Sequence, residues 1–236
     1  MIAVFVNMAT VLVGSLLGIF FRDRLKESFQ NAIMKALALC TAVIGVSSAI
    51  KTEDLLCVII SMALGTALGE LLRIDSGIER AGDAIKARFF KDGGGNSRFT
   101  EGFVSACILF CIGSMTIVGS LEAGINKDYS IIYAKSALDF VSSMAFAAAM
   151  GYGVPCSVLF ILIFQGGLTL LAGLVGPALS QTVVTEMSAV GGTILIGMAV
   201  NMLGLGKERI KVANMLPAIF LPIAYIPLAS WISGIF

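Results

Sequence analysis

The sequence predicts an all-α polytopic membrane protein of about eight transmembrane helices, with internal repeats and some discontinuous helices. Three observations carry that reading. Of 236 residues, 58% are hydrophobic and only 13% charged, where a soluble domain carries roughly a quarter charged residues. The mean hydropathy of +0.96 is too high for one globular core. The apolar residues also fall into eight runs, each close to the ~20 residues a helix needs to cross ~30 Å of hydrocarbon. Such a chain is neither a soluble enzyme nor a nucleic-acid-binding module. Its net charge of +1 calls for no polyanionic partner.

The spans follow in order. The first, Ile2 to Phe21, holds no charged residue and is closed by Arg22, Asp23 and Arg24. The second runs from Ala32 to Ile50 and stops at Lys51, Thr52, Glu53 and Asp54; the third is Leu55 to Leu72. A polar stretch precedes the fourth, Phe103 to Ile125, and Asn126, Lys127 and Asp128 turn the chain into the fifth, Ile131 to Met150. Gly151 to Pro155 punctuates the chain before the sixth span, Cys156 to Val175, which Gly176 and Pro177 end. The seventh is Met187 to Leu205. The eighth is Val212 to Ile235, and its Pro217, Pro222 and Pro227 predict a bent or broken helix.

Basic residues orient the spans. Thirteen of the sixteen Lys and Arg fall on one side, and only Lys51, Lys127 and Lys135 on the other. By the positive-inside rule this predicts an even number of spans with both termini outside the cytoplasm. No basic region precedes the first apolar run, which argues against a cleaved signal peptide. Trp231 near the far end suits an interfacial anchor.

The chain reads as a single membrane domain, 1–236, with a linker at 73–101 inside it. There Ile78, Ala81, Ile85 and Phe89 share a helical face, which predicts a short amphipathic helix on the cytoplasmic membrane surface. Gly93 to Asn96 follows as a flexible joint. A plain connector and a regulatory docking site both fit.

Five cysteines, Cys40, Cys57, Cys107, Cys111 and Cys156, sit in or beside apolar runs, where free cysteine packs as a small hydrophobe. With no histidine in the chain, a zinc or haem site has little support.

Internal echoes point to repeats. Thr10-Val-Leu-Val-Gly14 returns as Thr193-Ile-Leu-Ile-Gly197, relating the first helix pair to the last. Val13-Gly-Ser-Leu16 returns as Val118-Gly-Ser-Leu121, relating spans one and four in opposite directions. Inverted repeats of this kind occur in many transporter folds, although Gly, Ser, Leu and Val also recur by composition.

Polar groups inside the spans are the functional candidates, because an ionisable group at a helix centre costs about 3 kcal/mol on insertion scales. Asp139 lies ~13 Å into span five, near the midplane, with Lys135 one turn earlier on the same face. The two can neutralise each other or hold an ion or solute. Span four concentrates Gly113, Ser114, Thr116, Gly119, Ser120, Glu122 and Gly124. Small residues allow close packing, and interrupted transporter helices use such segments to present carbonyls to ions. Gln165 sits mid-span before two glycines, Glu186 opens span seven, where it can also cap the helix, and Asn201 lies near that span's end. Glu70 with Arg73 reads as a structural ion pair. Ser114, Thr116, Ser120, Glu122, Asp139, Gln165, Glu186 and Asn201 are therefore the candidate solute- or ion-binding residues. Asp139, Gln165 and the segment from Ser114 to Glu122 are expected to share one polar cavity.

The stretches Gly113 to Gly124, Lys135 to Asp139, Phe164 to Gly166 and Glu186 to Gly192 resemble the signature segments of the YdfK/YqgA family. Asn7 to Gly18 and Asn214 to Pro217 resemble it too, so the likeness covers essentially the whole chain. The family is classed as a domain of unknown function. The resemblance implies a bacterial cytoplasmic-membrane location and a transport role.

A secondary transporter of a small solute or ion explains the echoes, the interrupted helices and the buried carboxylates. A homo-oligomeric channel, for instance a homodimer, and a structural or regulatory membrane protein are the alternatives. No known enzyme layout is present, and no cofactor is called for. Carboxylate, hydroxyl and carbonyl ligands suit Na⁺ or H⁺ as coupling ion rather than soft transition metals. The expected partners are the lipid bilayer, a second copy of the chain and the small solute or ion; nucleic acid is not among them.

Overall fold

The computed structural model describes residues 1–22, 24, 26–78, 80, 99–111, 114–176 and 179–233. The predicted linker helix falls mostly outside the described residues. Nine helices cover the described residues used below: α1 (Ile2–Arg22), α2 (Glu27–Ala49), α3 (Leu55–Leu72), α4 (Phe99–Cys111), α5 (Ser114–Ile125), α6 (Ser130–Met150), α7 (Gly153–Leu174), α8 (Gln181–Leu203) and α9 (Pro222–Ser233). A 3-10 segment, Val212–Phe220, precedes α9.

Six of the helices are long and apolar enough to cross a membrane alone, namely α1, α2, α3, α6, α7 and α8. Two further pairs of elements are apolar and long enough only when each bent pair is taken as one span, which gives up to eight. Between α4 and α5 the chain bends by 58°, and between the 3-10 segment and α9 by 42°. Proline explains the second break. Pro217 lies inside the 3-10 segment and Pro222 occupies the first position of α9, where its missing N–H is tolerated.

Without a hydrophobic drive between helices in lipid, small residues decide where backbones meet. Gly14 and Gly18 of α1 lie against the carbonyls of Phe140 and Met144, and Arg22 reaches Gly151. The contacts advance together, so α1 and α6 run parallel. A Cβ at Gly45 would come within 2.7 Å of the Gly192 carbonyl oxygen, which sets α2 against α8, antiparallel. Gly65 and Gly69 of α3 abut Ala218 and Asn214 of the 3-10 segment, also antiparallel. Each of the first three helices is thus clamped by glycine to an element of the second half. Gly14 and Gly197, the glycines paired by the sequence echo, have different surroundings, since Gly197 faces the side chains of Val212 and Ile210.

Two expectations need correction. Glu70 pairs with Lys211 at 3.3 Å rather than with Arg73, which instead ends α3 in the left-handed conformation. Span seven begins earlier than expected, at Gln181, because the Ser180 hydroxyl caps α8 by accepting from the Val183 N–H. Glu186 is consequently more than a turn inside the helix, and it does not cap it.

Candidate functional site

Polar side chains from three elements meet inside the bundle. On α6, Lys135 and Asp139 are one turn apart and form an ion pair that is buried on both sides. The glycine seam of α1 brings Asn7 to them. Its amide nitrogen donates to Gln165 Oε1 at 3.0 Å, and its side chain lies near Asp139. Gln165 belongs to α7, in a π-helical turn spanning Leu162–Gly166. Such turns reset the register of a helix and recur at functional sites.

Lys135, Asp139, Asn7 and Gln165 are all no more than 7% exposed. Charges so buried persist because each has its counterpart, since removing one partner of a buried pair costs about 3–5 kcal/mol. The polar valences are not all used. Asn7 Oδ1 and Gln165 Nε2 have no hydrogen-bond partner, nor does Ser15 Oγ about two turns further along α1. A buried polar atom left unpaired costs about 1–3 kcal/mol. Two such atoms on adjoining amides mark a place that a ligand would complete.

The helices on either side of the break, α4 and α5, both pack against α6, and α5 also packs against the π-helical turn that carries Gln165. Beyond the break the Thr116 hydroxyl donates back to the Phe110 carbonyl at 3.2 Å, and Ser120 donates to the Thr116 carbonyl at 2.6 Å. Both hydroxyls therefore satisfy carbonyls near the kink. From Cys111 an apolar crevice extends along α4. One part, of about 60 Å³, is lined by Cys107, Cys111, Phe160, Phe164 and Phe220 among others. It adjoins a part of about 150 Å³ reaching Ile78 and Phe103.

The expected residues sort plainly. Asp139 and Gln165 come together, through Asn7. Thr116 and Ser120 are buried in α5 with hydroxyls committed to backbone. The side chain of Ser114 lies outside the described residues. Glu122 accepts from the Asn126 side chain at 2.6 Å, by the exposed α5–α6 turn. Asn201 grips Ile210 twice, donating to its carbonyl at 2.7 Å and accepting from its N–H at 2.9 Å, and so braces the loop after α8.

Glu186 forms a second, separate centre. Its fully buried carboxylate accepts from the Thr52 hydroxyl at 2.6 Å and from the N–H groups of Glu53 and Asp54 at 2.8 and 3.3 Å. The N-terminus of α3 thereby neutralises it, and α8 is latched to the turn between α2 and α3. Sequence reasoning missed Asn7. The available signal was a lone carboxamide in an otherwise apolar, uncharged span. The role of the Thr52 to Asp54 turn left no local signal, because its partner is more than 130 residues away.

The profile of a family described as "Protein of unknown function (DUF554)" matches residues 2–226. Over 220 residues the chain is 26% identical to the "Uncharacterized membrane protein YdfK" of Bacillus subtilis (strain 168), covering 92% of this chain and 91% of that one. Over 221 residues it is 30% identical to the "Uncharacterized protein YqgA" of Escherichia coli (strain K12), covering 92% of each. No solved structure matches.

Proposed function

The chain belongs to DUF554, a family of membrane proteins of unknown function, and we propose that it carries a small solute or ion across the bacterial cytoplasmic membrane by a site built on Asp139. The observation that supports this most is the buried cluster of Lys135, Asp139, Asn7 and Gln165, with two amide atoms unpartnered, beside a broken helix. A purely structural ion pair needs no orphaned amides around it. Interrupted helices at a buried polar centre are the usual means by which transporters present a site from alternating sides. Asp139 is the charge-bearing group, Lys135 its counter-ion in the resting state, and H⁺ the coupling species. Both termini lie outside, in keeping with the basic asymmetry. The sequence echoes support an origin by repetition.

The test is flux in proteoliposomes under an imposed Na⁺ or proton gradient, followed by a solid-supported-membrane current and a pH-sensitive lumenal dye. Wild-type protein should give a gradient-dependent signal across a panel of metabolites. The variant Lys135→Gln with Asp139→Asn removes both charges together and should abolish it while the protein remains folded. An undiminished signal from that folded variant would refute a transport site at Asp139.

A further inference from the structure

Resting on that reading, the unused valences of the site specify what it takes. We propose that the solute is a small uncharged molecule bearing one carbonyl acceptor and one N–H or O–H donor on the same carbon, with an apolar remainder. A primary carboxamide and an undissociated carboxylic acid share that chemistry.

Charge comes first. Lys135 and Asp139 cancel, so the resting site carries no net charge. A bare cation would have to strip Lys135 from Asp139 and leave an ammonium buried without a counter-ion, which is strongly unfavourable. An anion meets the same obstacle from the other side. A neutral ligand leaves the pair intact.

Hydrogen-bond valence is the second argument. The Asn7 amide nitrogen donates to Gln165 Oε1. The atoms left over are Asn7 Oδ1, an acceptor, and Gln165 Nε2, a donor. They belong to two hydrogen-bonded amides and are therefore near one another. A ligand that satisfies both must offer the complement, one donor and one acceptor close together. A metal ion or a quaternary ammonium offers no such pair.

The surroundings supply the third argument. An apolar crevice lined by Cys111 and by Phe164, the residue before Gln165 in the π-helical turn, includes the stacked rings of Phe160 and Phe164, 6.3 Å apart. Its two parts, about 60 and 150 Å³, suit a short alkyl or single-ring group.

The experiment is thermal unfolding of the purified full-length protein in detergent, since a ligand that binds only the folded state raises the midpoint. The probes are butyramide and phenylacetamide, butyric and phenylacetic acid at pH 4.5 and 7.5, and NaCl against choline chloride at constant ionic strength. The amides should raise the midpoint with saturable concentration dependence, and Na⁺ should not. In the near-isosteric Gln165→Met and in Asn7→Leu, apparent amide affinity should fall at least ~10-fold, the factor that about 1.4 kcal/mol represents. A shift by the acids at pH 4.5 alone supports the same chemistry with the acid as its source. If Na⁺ raises the midpoint and the amides and acids do not, the solute class is wrong while the transport site stands. If none of the probes acts, or the amide shift survives in Gln165→Met, the proposal is overturned. Should the variants fail to fold, the wild-type comparison of amide with Na⁺ still decides. Loss of gradient-driven flux in the charge-neutral variant tests the transport reading separately.

Discussion

Asn7 of α1 and Gln165 of α7 stand 158 residues apart in sequence and share a hydrogen bond of 3.0 Å inside the bundle. That bond, with the adjoining Lys135–Asp139 pair, concentrates polarity where lipid-facing residues surround it on the outer surfaces of the helices. Leu138 and Val141, flanking Asp139 on α6, are 59% and 58% exposed and face outward.

The ion pair should behave as a unit. Asp139→Leu or Lys135→Met alone leaves one buried charge unpaired and should cost about 3–5 kcal/mol, whereas the double variant should recover most of that loss. Chemical unfolding of the two singles and the double gives the coupling energy directly. Additive losses would show that the two groups do not interact.

The glycine seams should tolerate no side chain. Gly69→Ala places a methyl group into the backbone of Asn214, and Gly18→Ala into that of Met144, so each should lower stability by about 1–3 kcal/mol, as overpacking does. Gly173→Ala, which meets nothing within 4 Å, should be neutral or slightly stabilising. Thermal unfolding midpoints of the three proteins, compared with wild type, provide the measurement.

Glu186 should act as a latch. Glu186→Gln weakens the charge-assisted bonds to Thr52, Glu53 and Asp54, each worth about 1.5–3 kcal/mol. The α2–α3 turn should then open more often. Cys57, fully buried beneath that turn, is the reporter. In a protein whose only cysteine is Cys57, alkylation by a membrane-impermeant maleimide should accelerate several-fold on the substitution. Equal labelling rates would mean that the carboxylate does not hold the turn.

Asn201 should prove structural. Asn201→Ala removes the acceptor of the Ile210 N–H, the Ile210 carbonyl keeping the Val212 N–H, and should cost about 1–3 kcal/mol of stability, while leaving any solute-induced shift of the unfolding midpoint unchanged. A lost solute response in a folded Asn201→Ala protein would return this residue to the binding site.

Topology is open to direct assay. Lys127 in the turn between α5 and α6 and Lys207 in the loop after α8 should lie on opposite faces, with Lys207 cytoplasmic. Single-cysteine labelling from one side of right-side-out vesicles distinguishes them. Labelling of both from the same side would remove the eight-span arrangement.

By itself the sequence determined the solvent and the skeleton. Composition alone requires lipid around the chain, because apolar runs of membrane length cannot be buried in one small core. The run lengths and their punctuation placed the span ends to within about six residues, the largest difference being at the start of α8. Proline chemistry announced the break before α9. The Lys135–Asp139 pair was also legible, since a helix places residues four apart on one face whatever surrounds it.

The tertiary structure alone decided which elements touch. Gly14 and Gly18 meet α6, Gly45 meets α8, and Gly65 and Gly69 meet the 3-10 segment; nothing local distinguishes these glycines from one another. Hence Asn7 joined Asp139 and Gln165, while Glu186, Asn201 and Glu122, similar polar residues in sequence, were drawn to the α2–α3 turn, to Ile210 and to Asn126. The reason is range. Helix formation follows interactions within four residues, whereas a buried polar group finds its partner wherever close backbone packing brings one, and for Asn7 and Glu186 that partner is more than 130 residues away.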